Sequence, residues 1–202
     1  MEATEKDHIW TAIWNLKNDH PDEALTILTR MVSPKKQAPS STITGDDPYQ
    51  TEFHRSPNQS SGRIEPKFIV VHSSYGSFNG DKSWILNKKS KVSYHFLINP
   101  KTGNRVQFVD TIRKAWHAGK SFWKGLRGLN SHSIGVAFTG KSDRKASEKE
   151  IDSMAWLIIG LMRRHKITKD GIVTHQMIAP ERKDDTGKYN YTKVLERIEQ
   201  LS

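Results

Sequence analysis

His72, His175 and Asp185 are the residues whose types and placement best support chemistry in this sequence. His72 closes the apolar run Phe68-Ile69-Val70-Val71, and His175 closes Gly171-Ile172-Val173-Thr174. Both runs read as strands, and the ends of neighbouring strands present side chains to a shared cleft. Asp185 follows His175 past the turn Ile178-Ala179-Pro180, with Asp184 beside it as a competing carboxylate. Two imidazoles and one carboxylate form a donor set suited to zinc, with a fourth position left for water. Zinc held this way polarises a carbonyl and brings the pKa of water down to about 7, as amide hydrolysis at neutral pH requires. The sequence has no cysteine, so any zinc site must be built from His, Asp and Glu. It also has nine histidines, so chance pairs are common and spacing alone does not decide the assignment.

The elements that must position these residues fall into three zones. Residues 1–33 read as a helical hairpin: Ile9, Ile13 and Leu16 recur at helical spacing, His20-Pro21-Asp22 interrupts, and Ala24, Leu25 and Leu28 resume. Residues 34–65 are rich in Ser, Pro, Thr, Asn and Gln and read as a flexible linker. Residues 66–202 alternate strands with helices. Strands are expected at Lys67–Val71, Tyr94–Ile98, Arg105–Val109, Ser133–Phe138 and Gly171–Thr174. The strongest helix follows the capping box Ser147-Glu148-Lys149-Glu150, with Ile151, Met154, Ala155, Ile158, Leu161 and Met162 on one face. The expected fold class is α/β (α+β): a single mixed sheet flanked by helices, preceded by the hairpin.

Five segments occur in order: Val71-His72-Ser73-Ser74; Val92-Ser93-Tyr94-His95-Phe96-Leu97-Ile98; Ala115-Trp116-His117-Ala118-Gly119; Asn130-Ser131-His132-Ser133-Ile134-Gly135-Val136; and His175 through Asp185. Together they resemble the type-2 N-acetylmuramoyl-L-alanine amidases. That family includes small phage lysozyme-amidases, cytosolic amidases of muropeptide recycling and animal peptidoglycan-recognition proteins. The resemblance covers about residues 66–190 and leaves out the N-terminal third.

The resemblance implies hydrolysis of the amide between N-acetylmuramic acid and L-alanine in peptidoglycan. It implies a Zn²⁺ cofactor on His72, His175 and Asp185, the acidic ligand of the recycling branch favouring Asp185 over Asp184. Lys183 matches a basic residue that can stabilise the oxyanion of a tetrahedral intermediate. Tyr94 matches a tyrosine implicated in catalysis, whose phenol can donate to that oxyanion or orient the nucleophile. His117, Asn130 and Trp116 are implied substrate-binding residues. Two departures stand out: Ala137 occupies the position of the recycling branch's catalytic glutamate, and Asp185-Thr186-Gly187 replaces Asp-Pro-Gly. The phage branch also lacks the glutamate, so the resemblance implies a phage-type lytic enzyme, or endolysin. The alternatives are a cytosolic recycling amidase and a non-catalytic peptidoglycan-binding module.

The bulk composition is consistent with this reading. A formal charge of +10 suits an anionic partner, such as a bacterial wall carrying phosphate polymers. The basic residues are dispersed and match no nucleic-acid-binding motif, so no nucleic-acid partner is expected. No apolar run approaches the roughly 18 residues of a membrane span, so no membrane insertion is expected. The N-terminus lacks a basic segment followed by an apolar one. The expectation is therefore synthesis in the cytoplasm, release by a separate pore-forming (holin-type) protein, and action on the wall as a monomer.

Overall fold

A computed structural model describes residues 47–202. The hairpin expected over 1–33 and the first part of the expected linker lie outside the described residues. The first strands are β1 (Thr51–Phe53), β2 (Gln59–Arg63), β3 (Phe68–Ser73), β4 (Phe96–Ile98) and β5 (Arg105–Gln107). They are followed by β6 (Arg113–Ala115), β7 (Phe122–Trp123), β8 (Leu126–Arg127), β9 (Ser133–Phe138) and β10 (Ile172–Thr174). The helices are α1 (Phe78–Leu86), α2 (Glu148–His165), the single turn α3 (His175–Ile178) and α4 (Lys188–Leu201).

One mixed six-stranded sheet, in the order β1-β5-β4-β9-β3-β10, organises the domain. Only β4 and β5 pair antiparallel, across the turn Asn99–Asn104; the other neighbours are parallel. The two central strands, β3 and β9, are buried at every residue, as their uninterrupted apolar character requires for a sheet covered on both faces. Side-chain alternation then sorts the sheet into two environments. Ile69, Val71, Ile134, Val136 and Phe138 face α2 and α4, packing on Ile151, Met154, Ile158, Val194 and Ile198. Phe68, Val70 and Ala137 point the other way, into two smaller apolar clusters. His72 shares that second face, beside Ala137 of β9.

The capping box forms as expected. Ser147 Oγ accepts from the Glu150 amide at 3.3 Å, and Glu150 Oε2 accepts from the Ser147 amide at 2.9 Å. Glu150 is itself buried and paired with Arg144 at 2.6 Å, so the cap also ties down the loop leaving β9.

From Asp47 onward the expected linker is built into the fold. Thr51–Phe53 adds to the sheet edge beside β5, and Gln59–Arg63 pairs with β6 in a separate two-stranded ribbon. Both strands are polar because one or both of their faces meet solvent, so they carry no apolar run. Asp47 adds a buried ion pair, its carboxylate receiving both Arg105 guanidinium nitrogens at 2.6 and 3.1 Å. Arg105 also donates to Ser153 Oγ and Ser153 O, so this fully buried cation is satisfied from two sides. The folded domain therefore includes residues well before 66.

Candidate metal centre and active-site groove

The two histidines and Asp185 meet because of where their elements end. His72 is the penultimate residue of β3, and β10 runs parallel beside it in a register that pairs Thr174 with Val71. His175, the next residue, opens α3, whose first turn is capped by Thr174 Oγ1 accepting from the Met177 amide. The loop beyond α3 folds back until Asp185 O accepts from the Gln176 amide at 2.6 Å. That bond fixes the Asp185 carboxylate under His175. His72 Nδ1 lies 3.1 Å from His175 Nδ1 and 3.2 Å from Asp185 Oδ2, and His175 Nδ1 lies 3.1 Å from Asp185 Oδ1. All three residues are buried. Asp184 turns away, its carboxylate bonded to the Tyr75 hydroxyl.

The donor chemistry of this trio fits a bound cation. His175 Nε2 meets the carbonyl of Ala118 at 3.2 Å; a carbonyl only accepts, so Nε2 carries the hydrogen and Nδ1 a lone pair. Burial lowers the His72 imidazole to about 4, against the pull of the adjoining Asp185 carboxylate, so it is neutral at pH 7. Burial alone would raise the Asp185 carboxyl, but contacts with His175 and His72 outweigh it and keep the group ionised. Asp185 Oδ1 is buried without a hydrogen bond. A buried carboxylate and imidazole lone pairs aimed at one point repel unless a cation lies between them. Nitrogen and oxygen donors of this kind, without thiolate, match zinc.

His175 and Asp185 line a groove of about 440 Å³, with His72 buried directly behind them. Tyr94, Lys183 and Trp116 line it, as do His117 and Asn130. The Tyr94 ring stands 5.0 Å from that of His72. Burial, reinforced by the Asp185 charge, pushes its phenol up, so Tyr94 stays a hydrogen-bond donor at neutral pH. Trp116 is held through its indole N–H, which donates to Ser60 Oγ at 3.1 Å, so β2 takes part in shaping the groove.

His117 reaches the groove, and both its ring nitrogens also meet protein atoms. Its Nδ1 is 3.0 Å from His72 Nε2 and its Nε2 is 3.4 Å from Ser133 Oγ, so both ring nitrogens are engaged inside the protein. Burial and the neighbouring His72, His95 and His175 all depress its pKa, with the Ser133 backbone opposing, so the ring is neutral. Asn130 likewise commits Oδ1 inward, accepting from the His117 and Ala118 amides at 3.0 and 2.7 Å. Ala137 is fully buried opposite His72 in the β3–β9 register, among Leu97, Val106 and Ile85.

Sequence reasoning missed a second wall, formed by Tyr75, Asp81, Trp84 and Lys91. Its signal was weak: Ser77 caps α1, but Gly80 lies inside that helix and dilutes the pattern. Asp81 accepts from Ser74 Oγ, and its carboxyl is raised by burial, with the Ser74 and Gly76 hydrogen bonds opposing.

The family model for N-acetylmuramoyl-L-alanine amidases, Amidase_2, matches residues 62–188. The chain belongs to that family. Among curated relatives, the N-acetylmuramoyl-L-alanine amidase AmiD of Escherichia coli is 29% identical over 72% of this chain and 56% of its own length. The 1,6-anhydro-N-acetylmuramyl-L-alanine amidase AmpD of Haemophilus influenzae is 37% identical over 49% of this chain and 54% of its own. The chain thus spans a little over half the length of these relatives. A solved structure of Escherichia coli AmiD, in complex with anhydro-N-acetylmuramic acid-L-Ala-D-γ-Glu-L-Lys, superposes with a TM-score of 0.60 at 25% identity. That match covers 68% of this chain and 59% of AmiD. Among the described residues, no helix is long and apolar enough to cross a membrane.

Proposed function

We propose that this protein is a zinc-dependent N-acetylmuramoyl-L-alanine amidase that cuts wall-borne peptidoglycan as a lytic, endolysin-like enzyme. The observation that carries the proposal is the convergence of His72 Nδ1, His175 Nδ1 and the Asp185 carboxylate, with His175 and Asp185 lining an open groove. When bound there, zinc supplies a Lewis acid for the scissile carbonyl and acidifies water at neutral pH. The chain's own residues do the rest. Lys183, half-buried in the groove wall with its backbone tied to Ala179 O at 3.0 Å, brings a positive charge to the oxyanion of the tetrahedral intermediate. Tyr94, kept protonated, donates a hydrogen bond to the same oxygen. Trp116 offers an aromatic face to sugar or peptide.

Two features favour the lytic role over the recycling of soluble muropeptides. Ala137 stands where the resemblance places the recycling branch's glutamate, and its methyl group cannot act as a base. The charge of +10 suits retention on an anionic wall. Digesting purified peptidoglycan and identifying the new ends tests the activity. Free L-alanine amino termini are expected, whereas new reducing sugars would mark a glycosidase. Lys183→Ala should lower turnover by about 10²–10³, the usual cost of one preorganised oxyanion donor, without changing zinc content. A near-native rate would place that donor elsewhere.

A further inference from the structure

We infer that Asn130, His117 and Ala118 form a clamp that fixes the orientation and tautomer of both histidine ligands, making His117 a positioning residue for the metal. The inference rests on the zinc site proposed above. The hydrogen-bond directions can be assigned from one end of the chain of contacts. Ser133 Oγ is 2.6 Å from Leu129 O, which can only accept, so the serine hydrogen is spent there. Ser133 Oγ must then accept from His117 Nε2. Among the described residues the buried His117 nitrogens meet only His72 and Ser133, with no carboxylate to hold a second proton, so Nδ1 accepts from His72 Nε2 at 3.0 Å. His72 is left with a lone pair on Nδ1, the atom facing His175 and Asp185.

The adjoining residue does the same for the second ligand, since Ala118 O holds the His175 Nε2 hydrogen. One side chain, Asn130, pins both positions by accepting from the His117 and Ala118 amides. Arg182 secures the carbonyl side, donating to Ala118 O at 2.9 Å and Lys120 O at 2.8 Å. The sheet leaves room for the arrangement at Gly135, where an added Cβ would stand 2.5 Å from His117 Cγ. Each ligand therefore meets the metal position with its ring already turned, and neither must exchange a proton between its nitrogens on binding.

Two measurements on the full chain test this. In ¹⁵N-labelled protein, zinc-loaded and metal-free, His72 Nε2 and His117 Nδ1 should show through-hydrogen-bond nitrogen–nitrogen coupling, with the hydrogen on His72. Competition with a chelator should show His117→Phe, folded by circular dichroism, binding zinc about 10–100-fold more weakly than the parent. Absence of the coupling, or affinity of the folded variant within a few-fold of the parent, overturns the clamp. If His117→Phe does not fold, the coupling in the parent decides alone. A parent that takes up no zinc contradicts the proposed metal site, while the coupling still reports on the His72–His117 contact.

Discussion

Asp185→Ala is expected to abolish zinc binding and amide hydrolysis together, whereas Asp184→Ala should keep one zinc per chain and change turnover by no more than a few-fold. The two residues are neighbours in sequence and opposite in environment. Asp185 is buried against two imidazoles, and Asp184 faces outward to Tyr75. Removing Asp185 leaves two neutral ligands and no charge to compensate a divalent ion. His72→Ala should be as severe, because it removes one of the two nitrogens that define the site. Metal content by mass spectrometry and turnover of a defined muropeptide check both variants. Loss of zinc in Asp184→Ala with retention in Asp185→Ala would mean the other carboxylate is the ligand.

The second large effect is on stability. Asp47→Ala strands the Arg105 guanidinium in the core, where Ser153 is the hydrogen-bond partner left to it among the described residues and the Tyr49 ring stands over it. Breaking a buried ion pair from one side costs about 3–5 kcal/mol, and denaturant unfolding should register a loss of that order. A chain starting at Gly62 should do worse. It lacks Asp47, β1 and Asn58, whose Nδ2 reaches Ile85 O at 3.0 Å and Asn87 O at 2.9 Å across the end of α1. It also lacks Ser60, the partner of Trp116. Such a chain is expected to lose cooperative unfolding, while one starting just before Asp47 keeps it. Equal unfolding midpoints for the two would show that the 47–61 segment is dispensable.

The parts of the fold legible in the sequence were those with strong local signals. β3 and β9 are apolar without interruption because both their faces are covered, and α2 carries a capping box and an apolar stripe. The ends of β3 and β10 followed from these, and with them the meeting of His72 and His175. β1, β2 and β6 were not legible. They are short and polar, and their pairing is decided by remote partners such as Arg105 for Thr51 and Ala115 for Gln59. α4 was missed too, though Tyr191, Val194, Leu195 and Ile198 form its buried side, because the strongly polar residues between them mask it. At the site, residue types pointed to the metal trio but could not say which way an imidazole turns. The contact of His117 with His72 had no sequence signal, because it depends on the small residues Ser133 and Gly135 of β9 beneath the ring.

The most direct test of the account follows one preparation through metal removal and return. N-acetylmuramoyl-L-alanyl-D-glutamate is incubated with the protein as purified, after exhaustive chelation, and after one equivalent of zinc is restored. The expected result is release of L-alanyl-D-glutamate in the first and third samples and none in the second. Cleavage that survives chelation, or its absence from protein carrying one zinc per chain, would contradict a zinc amidase built on His72, His175 and Asp185.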